Sequence, residues 1–389
     1  MFKRMLNKLE DPNRPFLGPV DKYLSFWGMW LPSGFKRRCF AILLHVLETI
    51  FIITEFIDIF CVKGSLHLLL TNLKFSMQGL INICKAWSFI AWQKDWRDVC
   101  DYVTRADLAN RSGNLKTKNN IAKYTQYCRK VMFIYCQFTF VTAFVVIFQP
   151  AFKYLLTSKY RDNVKSGDEK YMQVVSSWVP FNKYEMPGYF FTCLIQGYGT
   201  LMAAVWISSY DMIALSVIIY IRAEVEALRI DTADIFNGGV PLRNIEYCHK
   251  RHVELLRYSR LFNSCTSPIL MLYTFICTVM LCSTAYQITY LESSKMQQLM
   301  IVMYLLFGIL QLFLYCWHSN EVYYASMELA RGPYKSEWWK QNASNQRSIF
   351  ILVGELSKTI IFTAGPFTNL TVATFINILK GAYSYYTLL

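Results

Sequence analysis

Apolar residues fall into seven long runs along the chain, and polar or basic segments separate these runs. A helix needs about 20 mostly apolar residues to cross a membrane, and every run has roughly that length. The pattern therefore predicts an all-α membrane protein with seven transmembrane helices. We place them at about Cys39–Ile59, Leu66–Trp92, Val131–Pro150, Tyr189–Ile221, Ser267–Tyr290, Gln298–Trp317 and Gly365–Leu389.

The composition agrees with this class of protein. Hydrophobic residues make up 54% of the chain and charged residues only 17%, against about 25% charged in typical globular domains. The net charge of +14 is spread along the chain, and no basic stripe on a nucleic-acid-binding motif accompanies it. Nucleic acid is therefore not an expected partner. The twelve cysteines contain no CxxC pair, so neither a zinc site nor a redox motif is predicted.

The basic residues also indicate an orientation. Of the 40 Lys and Arg residues, 29 lie before the first run or in the segments that follow the second, fourth and sixth runs. Short cytosolic loops carry such an excess, so we expect a cytosolic N-terminus and an extracellular C-terminus. The first residues are basic but lack the apolar stretch of a signal peptide, and we expect no cleavage there.

The predicted cytosolic segments carry helical patterns of their own. Helices two, four, five and six are expected to continue below the membrane, and about Ser344–Ile361 has an apolar face at helical spacing. A packed cytosolic anchor bundle is the favoured prediction, and amphipathic helices on the membrane surface are the alternative. The expected organisation is a cytosolic segment 1–38, helices one to six with an outer pocket in 39–317, anchor helices in 318–364 and a final helix in 365–389.

Asp211, Lys74 and Lys85 are charged residues inside predicted spans. Asp211 is costly in lipid and should face protein or water. Lys85 is expected to extend its amine to the membrane interface, whereas Lys74 has no such simple explanation. A transporter would show charged or broken helices near the membrane centre, often in repeated halves, and no internal repeat is found.

No catalytic pattern is found along the chain. The HExxH, GxSxG and Walker motifs are all missing, so we expect neither an enzyme nor a cofactor. His249 and His252 lie three residues apart in a basic helix, as do Asp231 and Asp234 in another, and both pairs are interpreted as solvated helix faces.

Aromatic and methionine side chains in the outer halves of the helices could line an apolar ligand pocket, because such pockets combine apolar walls with a few polar groups. Ordinary core or lipid contact is the alternative for each residue. The candidate ligand-binding residues, chosen from helix position alone, are Asn72, Phe75, Ser76, Phe140, Ala143, Phe144, Ile147, Ile195, Tyr198, Gly199, Met202, Met300, Met303, Tyr304 and Phe307.

The segment SIFILVGELSKTIIFTAGPFTNLTVATFINILKGAYSYYTLL resembles the carboxyl end of insect odorant receptors. The similarity lies in Gly365-Pro366-Phe367 after a short helix and in Ala382-Tyr383-Ser384 late in the last run. Gustatory receptors share the seven-helix plan but usually begin and end the last helix differently. The chain also lacks the long cytosolic insertion of the shared co-receptor, so it resembles an odour-specific tuning subunit.

The resemblance implies a function and partners. Members of the family form ligand-gated, non-selective cation channels as tetramers, usually with the co-receptor, in the plasma membrane of sensory neurons. It implies a volatile odorant as ligand, together with membrane lipid and permeating cations as partners. A gustatory-type channel is one alternative; a small-molecule transporter or a G-protein-coupled receptor is a weaker one. Carried onto this chain, the pore-lining role falls on Tyr385, Tyr386 and Leu389.

Overall fold

Long helices dominate the computed structural model, which describes residues 11–61, 66–236, 241–290 and 295–388. Asn side chains begin two of these helices. Asn114 accepts a hydrogen bond from the Lys116 amide, and Asn342 accepts one from the Asn345 amide, which satisfies amides that have no partner inside a helix. The helices are α1 Gly18–Phe26, α2 Phe35–Cys61, α3 Leu66–Ala91, α4 Gln93–Ser112, α5 Leu115–Leu156, α6 Ser158–Ser166, α7 Gly188–Ala233, α8 Pro241–Tyr290, α9 Lys295–Met327, α10 Arg331–Lys335, a 3₁₀ turn Trp338–Lys340, α11 Ala343–Leu356 and α12 Val372–Leu388.

Among the residues that the structure describes, five helices are long and apolar enough to cross a membrane, and they differ in how much protein surrounds them. The most apolar stretch of α7 is 94% buried inside the protein, whereas the corresponding stretches of α2 and α5 are 33% buried. Helix α7 therefore forms the centre of the bundle, and its neighbours turn apolar side chains outward, as lipid contact requires. These five helices are α2, α5, α7, most of α8 and most of α9.

The second and seventh predicted spans, which correspond to α3 and α12, differ from these five. Helix α3 carries Asn72, Lys74, Gln78, Asn82 and Lys85 among its apolar residues, and these polar side chains lower its mean hydropathy. Helix α12 has 17 residues, about 26 Å at 1.5 Å per residue. The count of seven crossings and the orientation of the chain stay predictions.

A short hairpin shortens the predicted seventh span. Thr363–Ala364 (β1) pairs antiparallel with Thr368–Asn369 (β2), and Gly365 in the intervening turn has φ +69°, a conformation that glycine adopts without strain. The Gly365 amide donates to the Ser267 carbonyl at 3.1 Å. The last helix consequently begins at Val372, and the Gly-Pro-Phe step ties it to α8.

The predicted anchor bundle is packed. Helices α7, α8 and α9 run well past their predicted spans, and so does α5, whose extension the sequence analysis missed. Trp96 and Val103 of α4 and Leu352 and Leu356 of α11 are buried in the same core as the long helices. Helices lying loosely on the membrane surface would leave these side chains uncovered, so that alternative is wrong.

A buried polar cluster holds this bundle together. Arg251 of α8 pairs with Glu224 at 2.6 Å and Asp231 at 2.5 Å, and it donates to Asn110 of α4 at 2.9 Å. Asp231 therefore belongs to an ion pair between helices and not to a purely solvated face. His252 is also fully buried, so the expectation of a solvated histidine pair is wrong for it.

Candidate functional site

A cavity lies among α2, α3, α5, α7 and α9, with a volume of about 100 Å³. Its walls include residues 139–146 in the second half of α5 and residues 200–207 in the first half of α7. The cavity therefore lies in the half of the bundle remote from α4 and α11. This volume is about two-thirds of that of an apolar cavity, roughly 150 Å³, that accepts benzene in another protein, so it is on the scale of a small organic molecule.

Four aromatic side chains belong to the cavity wall. Phe51, Phe75, Tyr304 and Phe307 line it, and the rings of Phe75 and Tyr304 meet edge to face with centroids 5.4 Å apart. Small and hydroxyl-bearing side chains complete the wall. They are Thr139, Thr142, Ala143, Thr200, Ala203 and Ala204.

Two glycines let the helices approach closely enough to build this wall. A Cβ atom at Gly199 of α7 would lie 2.3 Å from the Phe51 ring, and one at Gly79 of α3 would lie 2.7 Å from Ile52. Real Cβ atoms do not approach other atoms so closely, because interiors are already close-packed. The missing side chain of Gly199 therefore leaves room for the Phe51 ring in the cavity wall, although Gly199 itself does not line the cavity.

Two carboxyl groups of α2 also border the cavity. Glu48 and Glu55 are seven residues apart, which places them on the same helix face, and both are buried. Neither oxygen of Glu48 has a hydrogen-bond partner among the described residues. Buried polar atoms are normally satisfied. Among the described lining residues, the Gln78 amide nitrogen and the Asn82 amide oxygen also lack partners, but Glu48 is the acid with both oxygens unpaired.

The segment between α6 and α7 covers the cavity. Val175 lines it directly, and the Trp178 amide donates to the Thr54 carbonyl of α2 at 3.0 Å. Lys183 pairs with Asp58 of α2 at 2.7 Å. This segment is therefore an ordered cover that is attached to α2 by hydrogen bonds and one ion pair.

A second polar site lies deeper in the bundle, around Asp211 of α7. One carboxylate oxygen accepts from Lys85 at 2.5 Å and from Tyr315 at 2.7 Å, and the other accepts from Tyr135 and Gln311 at 2.5 Å each. Both charged side chains are completely buried. Asp211 faces protein as expected, but the expected extension of Lys85 to the interface is wrong.

A smaller cavity of about 10 Å³ adjoins the first, with room for about one water molecule. Gln78 and Tyr304 line both cavities, and Cys277, Met280 and Thr284 of α8 form the far wall. Helix α8 in turn contacts the last helix, where the Cys282 thiol lies 3.4 Å from the Ala382 carbonyl. A continuous set of contacts thus joins the large cavity to α12.

The structure brings together some of the predicted pocket residues. Phe75, Ala143, Tyr304 and Phe307 line the large cavity. Others lie buried outside it or behind its wall, and some face outward on the bundle surface. The buried or half-buried residues are Asn72, Ser76, Phe140, Ile147, Gly199, Met202, Met300 and Met303, and the exposed ones are Phe144, Ile195 and Tyr198.

The predicted pore residues cannot be placed in the same way. Leu389 and the side chains of Tyr385 and Tyr386 lie outside the described residues. Their pore-lining role stays a prediction.

The sequence analysis missed the two carboxyl groups of the cavity. Glu48 and Glu55 stand in an otherwise apolar run at a spacing of two helical turns, and acidic residues inside a span indicate function by default. That signal was readable in the sequence. Within the part of the chain that the structure describes, no group of three His, Cys, Asp or Glu residues could hold a metal ion.

Long apolar helices around a covered cavity are typical of a polytopic membrane protein. A family model described as 7tm odorant receptor matches residues 65–383. The chain belongs to this odorant receptor family.

Individual relatives are distant in sequence. Odorant receptor 10 of Aedes albopictus is 22% identical over 213 residues, which cover 53% of this chain and 56% of that protein. Odorant receptor 22c of Drosophila melanogaster is 29% identical over 167 residues, 41% of this chain and 40% of that one. The odorant receptor coreceptor of Anopheles gambiae is 22% identical over 145 residues, 37% and 30% of the two chains. The chain spans about half the length of the relatives it matches first.

The fold is similar over almost the whole chain. The structure of the insect olfactory receptor OR5 from Machilis hrabei in complex with eugenol superposes with a TM-score of 0.82 at 16% identity. The superposition covers 97% of this chain and 99% of that one. The all-helical architecture is therefore that of an insect olfactory receptor.

Proposed function

We propose that this chain is the odorant-binding, tuning subunit of a ligand-gated, non-selective cation channel. The mainly apolar cavity of about 100 Å³, with four aromatic rings in its wall, is the observation that carries the proposal. It offers a small volatile molecule a dry site with a few polar groups, the usual character of a small-molecule pocket. The solved relative with eugenol bound supports a ligand-binding role for the fold.

The proposed assembly is a heterotetramer with the odorant co-receptor in the lipid of the sensory-neuron plasma membrane. The similarity to an odorant receptor coreceptor supports related surfaces in the two chains. In this assembly α12 borders the ion path, and Tyr385, Tyr386 and Leu389 line its outer end. The cavity then lies in the outer half of the membrane.

Gating is proposed to be a population shift, in which a ligand favours the open state by its higher affinity for that state. A ligand in the large cavity contacts Tyr304 and Gln78, which also border the small cavity against α8. A change in their positions alters the packing of α8, and α12 moves with it. The moved helix widens and wets an apolar constriction in the pore.

Filling the cavity tests the ligand site. Ala143 lines the cavity, whereas Val141 on the same helix is exposed toward the outside. Cells that express the co-receptor with the Ala143→Phe variant should lose odour-evoked current by at least tenfold across a broad panel of volatiles. The Val141→Phe variant is the matched control and should keep its response, and cells that express this chain alone serve as background. Full responses in both variants at equal surface expression would contradict the proposal.

Changing the end of α12 tests the pore separately. Leu389→Ser should raise basal current or alter evoked current in the co-expressed channel, because a polar side chain favours a wetted constriction. Unchanged basal and evoked currents would count against Leu389 as part of the gate.

A further inference from the structure

The cavity carries an acidic wall that the odorant-binding role alone does not explain. Glu48 is 1% exposed, and both of its oxygens lack a hydrogen-bond partner among the described residues. A buried charge or polar group is costly unless it is paired and hydrogen-bonded. The unpaired group borders an empty space, so a ligand in that space can supply the missing donor.

The described residues of the cavity wall include acidic groups but no basic group. Glu48 and Glu55 are its ionisable acids, and no Lys, Arg or His is among the described residues that line it. Nearby lysines are engaged elsewhere: Lys183 pairs with Asp58, Lys85 pairs with Asp211, and Lys74 donates to Gln287. Besides the Glu48 carboxyl group, the described lining holds an unpaired acceptor, the Asn82 amide oxygen, and an unpaired donor, the Gln78 amide nitrogen. No basic group of the described lining neutralises Glu48, so a cationic donor has to come from the ligand.

The rest of the wall suits the same kind of ligand. Phe51, Phe75 and Phe307 provide aromatic surface, and Tyr304 adds a fourth ring. A cation within about 6 Å of an aromatic ring is attracted by the negative ring face. A carboxylate beside aromatic rings thus matches an ammonium group attached to a short apolar body.

We propose that the cavity selects small amines, with the amine nitrogen held by Glu48 and the apolar body enclosed by the aromatic rings. This inference rests on the proposed function in taking the cavity as the ligand site. An amine that arrives protonated pairs directly with the Glu48 carboxylate. An amine that arrives as the free base takes the proton of a neutral Glu48 carboxyl group, and the same ion pair results. Glu55 strengthens the preference by adding a second acidic group on the same helix face.

The test compares two molecules of nearly the same size and shape, benzylamine and benzyl alcohol. The full chain is reconstituted in lipid nanodiscs, and the affinity for each molecule is measured by isothermal titration calorimetry. Benzylamine should bind at least tenfold more tightly than benzyl alcohol. In the Glu48→Gln variant this preference should disappear, while the affinity for benzyl alcohol changes by less than threefold. Glu246→Gln, which alters an exposed acid on α8, is the matched control and should keep the preference.

Equal affinities in the unaltered protein, tighter binding of the alcohol, or a preference that survives in Glu48→Gln would each overturn the inference. The comparison in the unaltered protein is decisive even if the variant does not fold.

Currents in cells that also express the co-receptor separate this inference from the proposed function. Amine binding that depends on Glu48 without any evoked current would support amine selection and contradict the channel subunit. Currents evoked by the alcohol but not by the amine would support the channel subunit and overturn amine selection.

Discussion

Asp211 and Glu48 are both fully buried acids on helices that could cross a membrane, yet their surroundings differ completely. Asp211 accepts four hydrogen bonds, from Lys85, Tyr135, Gln311 and Tyr315, which uses the capacity of a carboxylate. Glu48 accepts none among the described residues and borders a cavity. The satisfied acid connects α3, α5, α7 and α9, whereas the unsatisfied acid is available to a ligand.

The contrast separates two uses of a buried charge. A complete set of partners makes the Asp211 cluster a fixed junction between helices, since partly satisfied polar networks are unstable. The Glu48 wall is completed only by something that enters the cavity. Four experiments test this difference between the Asp211 cluster and the cavity wall around Glu48.

The largest effect is expected from removing the junction. Asp211→Ala leaves the Lys85 amine buried without its partner, and breaking a buried pair in this way costs about 3–5 kcal/mol. The free energy of unfolding, measured in mixed micelles, should fall by that amount. Adding Lys85→Met to Asp211→Ala should recover at least about 1 kcal/mol, because no unpaired charge remains. A double variant as unstable as Asp211→Ala alone would show that the pair is not the source of the loss.

A smaller effect is expected from crowding the wall. Gly199→Ala places a methyl group against the Phe51 ring, and overpacking of this kind costs about 1–3 kcal/mol. The ring should be displaced toward the cavity, so ligand affinity should fall together with stability. Gly197→Ala is the matched control, since its Cβ would lie 3.7 Å from Ile147. Equal effects of the two variants would contradict the idea that Gly199 leaves room for the Phe51 ring.

Loosening the cover should have a local effect. Lys183→Met removes the ion pair to the buried Asp58 carboxylate, and we expect a loss of about 1–2 kcal/mol, in the range of hydrogen bonds to charged groups. Amide hydrogen exchange around Val175 and Trp178 should become faster, because the cover opens more often. Lys340→Met breaks an exposed pair with Glu337 and should change stability by no more than about 1 kcal/mol.

The smallest effect on stability is expected at Glu48. Glu48→Gln removes an acid that has no partner to lose, so the free energy of unfolding without ligand should rise or stay within about 1 kcal/mol. This outcome is the opposite of the one expected for Asp211. A loss as large as that of Asp211→Ala would mean that Glu48 also serves as a structural junction, and the contrast would fail.

Much of the architecture could be predicted from local patterns. Apolar runs indicated the helices, and the amphipathic spacing around Ile349 and Leu352 indicated a packed anchor helix, because burial of one face follows from short-range periodicity. The hairpin at Gly365 was missed, since an apolar run continues through it. The extension of α5 below Val131 was also missed, because its polar residues pack against other helices and not against lipid.

The cavity residues were likewise predicted only in part from the sequence. Helix position found Phe75, Ala143, Tyr304 and Phe307 but also selected Phe144 and Ile195, which face outward. Helix position alone does not determine which face meets its neighbours, since that depends on how each helix is rotated in the bundle.

The sequence by itself determined the class of protein, because the length and apolarity of each run are properties of contiguous residues. Only the tertiary structure decided which buried charges meet. Lys85 and Asp211 lie 126 residues apart and form a pair, while Glu48 and Glu55 on one helix share a cavity. The physical reason is that the free energy of a buried charge depends on its spatial partners, and helix packing, not chain order, brings those partners within reach.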